Sequence, residues 1–271
     1  MRRFAHIVHP LAPGISADID RAQPITFETL RRARDAASDK VSVDLLTAQF
    51  PDARAQVPPD FTATPDLERS ARDLGSFNGG LSLACIADII KRGFDASEAD
   101  YLIFSGIDIA LQPYFYTTLD KIISSGVDSC IINRRVISDE KCTVDDIDSM
   151  YAEIGDPHPG RDCFVFTRSA YRHFELGDAL WGMPKVGALL ALNQIYFSIN
   201  FVEFRDLHMT FHLGKGSYWS KESYADYHAH NQAEWERVLG KFRERFPGKD
   251  HPMIERMNRS VGEKRRIQPD R

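Results

Sequence analysis

The chain is poor in cysteine: Cys85, Cys130, Cys142 and Cys163 are its four, and none forms a CxxC pair. That spacing excludes a disulfide scaffold and a cysteine zinc site, and it fits a reducing compartment. Long apolar runs are missing as well. The longest uncharged stretch, 186–202, carries Asn193, Gln194, Ser198 and Asn200, too short and too polar for a membrane span. The opening Phe4-Ala5-His6-Ile7-Val8-His9-Pro10 places two histidines where a signal peptide needs apolar residues, so a cytoplasmic protein is expected. Charge of one sign is lacking too: 34 Lys+Arg stand against 39 Asp+Glu, a net −5. Such a chain has no excess with which to coat nucleic acid or an anionic membrane. There is no GxxxxGK[ST] phosphate loop, no GxGxxG opening a helix, no GxSxG elbow and no HExxH.

What is present suffices for a folded core. Apolar residues make up 43% and aromatics 11% of 271 residues, a length of about 1.8 domains at roughly 150 residues each. Apolar runs at 4–8, 41–47, 100–104, 127–136, 162–166, 201–204 and 208–212 predict strands. Helical spacing predicts helices from Thr26, taken as the cap, through Ala37, and at 81–90, 115–124 and 185–196. Four prolines make 49–65 a loop, and the charged stretch from Glu255 reads as a solvated tail. Strand, helix, strand at the start is the grammar of an α/β layered domain, here over 1–216, with a helical, basic extension over 217–271. Nothing speaks to oligomeric state.

In open α/β sheets ligands bind beyond the carboxyl ends of strands. His9-Pro10, Asp44 with Gln49, and Ser105-Gly106-Ile107-Asp108 follow or end predicted strands. An acid behind a buried strand and a glycine is costly unless solvated, paired or bound to a cation. Asp108 is therefore a metal-ligand candidate, or else it caps the turn into the Pro113 helix. His208 and His212 share a face at a spacing of four, and His212 precedes the Gly214 turn. Lys215, between glycines, reads as a phosphate contact or part of a hairpin turn.

The run Asp100-Tyr101-Leu102-Ile103-Phe104-Ser105-Gly106-Ile107-Asp108-Ile109-Ala110-Leu111 resembles the strand that delivers the Asp-x-Asp motif of GT-A-type nucleotide-sugar glycosyltransferases. The likeness covers 4–216. It implies a GT-A-like, Rossmann-like α/β domain with a mixed sheet. It further implies sugar transfer from a nucleoside diphosphate to a hydroxyl acceptor, assisted by Mn²⁺ or Mg²⁺ on Asp108 and His212. Pro10, Asp44 and Gln49 fall where that fold contacts the nucleoside. Arg72 and Asn78 fall near ribose or phosphate, with Lys215 assisting. The segment Pro157-His158-Pro159-Gly160-Arg161-Asp162 resembles the acceptor side, with Asp162 as general base and His158 behind it. Asp162 paired with Arg161 or Arg168 is the alternative, and Trp181 either stacks on a sugar or fills core. One motif acid is absent, since Gly106 or Ala110 stands at its place. That leaves two other readings: a catalytically silent nucleotide- or sugar-binding protein of the same fold, and a metal-dependent hydrolase using His6, His9, Asp44, Asp108, His208 and His212.

Overall fold

A computed structural model of the protein describes residues 1–138, 143–214 and 222–258. Its strands are β1 (Arg2–Val8), β2 (Val41–Thr47), β3 (Thr62–Ala63), β4 (Tyr101–Ser105), β5 (Ala110–Leu111), β6 (Ser129–Ile137), β7 (Asp156–Thr167), β8 (Phe201–Phe204) and β9 (Thr210–Leu213). Its helices are α1 (Ala17–Ala36), α2 (Ala71–Leu74), α3 (Ile86–Ala96), α4 (Phe115–Ser124), α5 (Ile147–Ala152), α6 (Arg168–Tyr171), α7 (Val186–Phe197), α8 (Ala225–Arg245) and α9 (Pro252–Asn258). They form one α/β layered domain around a mixed sheet of order β3-β2-β1-β4-β7-β6-β9-β5, with β8 also on β6.

The sheet is parallel through β3, β2, β1 and β4, then antiparallel at β7. Strand periodicity divides its side chains between two cores. Ala5, Ile7, Leu102, Phe104, Phe164 and Phe166 face α3, α7 and α8. Phe4, Val8, Ile103, Cys163 and Val165 face α1 and α4. Residues buried on both faces explain why β1 and β4 read as continuous apolar runs. The C-terminal helices share the first core: Trp235, Val238, Leu239 and Phe242 of α8, and Met253, Ile254 and Met257 of α9, pack with α7.

Four boundaries differ from expectation. Helix α1 begins at Ala17 behind Ser16, with Asp18 and Asp20 in its first turn, and runs through Pro24. Thr26 is thus mid-helix and buried, where it caps nothing. Residues 81–85 are not helical. Ala84 and Cys85 bridge to Ser70 and Leu180, and α3 starts only at Ile86. Strand β7 begins at Asp156 because β6 pairs with it across register shifts on either side of Asn133. Residues 255–258 belong to α9, where Met257 is buried, so the solvated stretch does not start at Glu255.

Candidate active site

The carboxyl ends of β1 and β4 open into a cleft of about 1380 Å³. Its floor and walls include His9-Pro10 after β1, the first turns of α1, the loop after β2, Ile107-Asp108 after β4, Pro159–Asp162 of β7, and Trp181–Ala188 leading into α7. His212 of β9 completes the site, because β9 runs parallel to β6 and brings that residue beside Asp108.

Asp108 and His212 lie 104 residues apart in sequence, yet Nε2 and Oδ2 are 3.2 Å apart. The Asp108 side chain remains 32% exposed toward the cleft. Burial pushes this carboxyl up, but the His212 hydrogen bond, the charge on His212 and Arg134 outweigh it, leaving the group below the usual carboxylate range. Asp162 moves the other way. Burial raises it and Asp108 adds repulsion, only partly countered by the Arg134 guanidinium bonded to its Oδ2 at 2.8 Å. Two carboxylates on one wall are thus driven apart in proton affinity, the pattern that separates a metal-binding or electrostatic role from a proton-accepting one.

His158 sits behind this pair. Burial, then the charges of Arg134 and His212, lowers it to about 4, so it is neutral at pH 7. Its Nδ1 accepts the Gly160 amide at 2.9 Å, which occupies the ring's lone pair and leaves Asp162 as the better base. A Cβ at Gly160 would stand 2.6 Å from Asp162 Oδ2 and 2.8 Å from His158 Nδ1, so a larger residue there would move one of these two side chains.

Of the other sequence-predicted residues, Pro10 and Arg72 line the cleft. Gln49 is buried behind the wall, where its Nε2 donates to Thr64 O and to Asp66 Oδ1 at 2.9 Å, fixing Asp66 at the cleft edge. Asp44 is not at the cleft. It lies mid-strand, accepting from Ser97 Oγ at 2.6 Å and pairing with Arg3, because β2 continues to Thr47. Asn78 is also outside, its backbone N–H held by Asp226. Lys215 lies outside the described residues. The six-residue hydrolase constellation does not assemble. His6 is buried between Tyr116 and Ser105, and His208 meets Gln112 and the Glu153 carbonyl. Among the described residues no group of three His, Cys, Asp or Glu could hold a metal.

One residue, Arg134, escaped the sequence, whereas His9 was singled out there beside Pro10. Arg134 enters the cleft because it falls in the register shift of β6, where Asn133 pairs with Arg161 and Arg135 with Pro157. A bulge re-aims one side chain out of the alternation, so a charged residue in a strand-like run was its sole signal. His9 is 3% exposed and donates Nδ1–H to the Ala48 carbonyl at 2.6 Å, since a carbonyl only accepts. Burial lowers its proton affinity, so Nε2 is a fixed acceptor.

No family model matches the sequence, and no curated protein matches it. Solved structures do. S. aureus TarS superposes with a TM-score of 0.50 at 10% identity, covering 90% of this chain and 44% of that one. A TarS 1–349 fragment in complex with UDP-GlcNAc gives 0.48 at 9% identity, covering 95% and 79%. Glucosyl-3-phosphoglycerate synthase from Mycobacterium tuberculosis, crystallised with Mn²⁺, UDP and phosphoglyceric acid, gives 0.46 at 11%, covering 90% and 78%. The likeness is one of fold. Among the described residues no helix is long and apolar enough to cross a membrane.

Proposed function

We propose, from a chain with the GT-A-type fold, a glycosyltransferase that moves a sugar from a nucleoside diphosphate to a hydroxyl acceptor. The observation that carries this reading is the meeting of Asp108, His212 and Asp162 at the carboxyl end of a parallel sheet, in a cleft large enough for a nucleotide sugar.

The donor set fits a divalent cation. His212 Nδ1 faces the Gly214 carbonyl oxygen at 3.1 Å, so loss of the Nε2 proton now shared with Asp108 would leave Nε2 to join the carboxylate in holding a cation. Asp108 and His212 would hold Mn²⁺ or Mg²⁺, to which carboxylate and imidazole are suited. When bound, the cation offsets the negative charge that builds on the departing diphosphate. The chain's own groups do the rest. The acceptor oxygen bonds to the anomeric carbon as the sugar–phosphate bond breaks, the electron pair leaves with the nucleoside diphosphate, and the hydroxyl proton passes to Asp162. His9 Nε2, fixed as an acceptor on the cleft wall, is available to an N–H of the base.

Nucleoside diphosphate release is measured from UDP-, dTDP-, GDP-, CDP- and ADP-sugars with Mn²⁺. Turnover is expected with at least one of the five. Asp162→Asn is expected to lower kcat by about 100-fold or more while nucleotide binding persists. Failure of every nucleotide sugar to bind would sink the reading. Binding without release favours the silent binding protein, which Gly106 at the first motif position supports.

A further inference from the structure

The two ends of the cleft differ in charge. At the end formed by the loop after β2, the stretch after β3 and α2, the acids Asp52, Asp66, Glu68 and Asp73 outnumber Arg72. On the β6–β7–α7 wall stand Arg134 and Arg161 instead. Arg134 is 15% exposed and spends one of its N–H groups on Asp162. Its Nε–H is buried with no acceptor among the described residues. An orphaned guanidinium donor calls for an oxygen acceptor, and a fork of five donors suits a carboxylate or phosphate. Arg161 bonds Glu203 at 2.7 Å, but Glu203 also takes Arg205 at 2.8 Å, so that triad keeps one net positive charge. Beside them, the backbone amides of Val186, Gly187 and Ala188 open α7 without acceptors among the described residues. Gly187 packs close, since a Cβ there would lie 3.4 Å from the Arg161 carbonyl oxygen.

We propose that this wall holds an anionic group on the acceptor, so that the hydroxyl receiving the sugar belongs to a phosphate ester or a carboxylic acid bound by Arg134 and Arg161. This rests on the glycosyltransferase reading. The donor diphosphate is assigned to Asp108 and His212, whereas Arg134 is bonded to Asp162, the group that faces the acceptor hydroxyl. An anion on the guanidinium therefore sets that hydroxyl beside its base. The acidic far end of the cleft repels the same anion and fixes which way the acceptor lies.

The full chain is first saturated with UDP and Mg²⁺. Failure at that stage counts against the glycosyltransferase reading alone. Glycerol 3-phosphate, glycerate and uncharged glycerol are then titrated by calorimetry. Both anions are expected to bind and glycerol not to bind. Arg134→Met and Arg161→Met are each expected to weaken the anions about tenfold or more, Arg161→Met without changing UDP affinity, and Arg134→Lys to weaken them less than Arg134→Met. Should Arg134→Met not fold, Arg161→Met carries the comparison. The proposal is overturned if neither anion binds the UDP-saturated protein, if the anions compete with UDP, or if both arginine variants bind them as wild type does.

Discussion

Gly106 governs how the Asp108 carboxylate stands. A Cβ at this position would lie 2.5 Å from Asp108 Oδ1 and 3.2 Å from Ile109 Cγ1, so Asp108 occupies space that any side chain at 106 would claim. A second acid there would displace Asp108 and complete no ligand set. Gly106→Ala is therefore predicted to turn Asp108 away from His212 and weaken Mn²⁺-dependent nucleotide binding by about tenfold, or ~1.4 kcal/mol. Unchanged affinity in a titration of this variant would count against that role. At this scale the sequence was informative about position: Pro10 and Asp108 follow β1 and β4, His212 precedes a glycine turn, and all three line the cleft. It misled at Asp44: the strand was expected at 41–47 and is found there, so the carboxylate lies three positions inside β2, where Ser97 and Arg3 hold it away from the strand's end. Arg134 was illegible because a register shift depends on which strand pairs with β6, a long-range fact.

Among elements, β1 is tied to its neighbours by one buried polar chain. His6 Nδ1 and Nε2 bond Tyr116 of α4 and Ser105 of β4, each at 2.9 Å. Burial lowers His6 to about 3. The folded protein keeps the ring neutral, while the unfolded chain takes up a proton near pH 6.5. Between those values the unfolded state binds more protons, so stability falls as pH drops, by about 1.4 kcal/mol per unit for one such histidine. His6→Gln should flatten the stability–pH slope between about pH 6 and 4 in urea unfolding, and an unaltered slope would refute this. Elements were legible where apolar period was clear, as for α4 and β2, or where a long run was apolar all round, as for α7. The first turns of α1 were hidden by Pro24, whose exposed ring a helix tolerates although its missing N–H breaks the pattern. Residues 81–85 carry helical spacing but lie extended, held by bridges to Ser70 and Leu180 that tertiary contact alone supplies.

For the whole molecule, the α/β class followed from the alternation of strand and helix patterns. The order did not, since β7 inserts between β4 and β6 and only that insertion carries Asp162 and Arg134 to Asp108. A net charge of −5 repels a diphosphate at long range, so the cleft must attract it locally. The central claim is that a divalent cation on Asp108 and His212 does so. Calorimetric titration of UDP into wild type and Asp108→Asn, with and without Mn²⁺, tests it most directly. The account predicts binding by wild type that depends on Mn²⁺ and falls about tenfold or more in Asp108→Asn. Equal UDP affinity without Mn²⁺, or in Asp108→Asn, would contradict it.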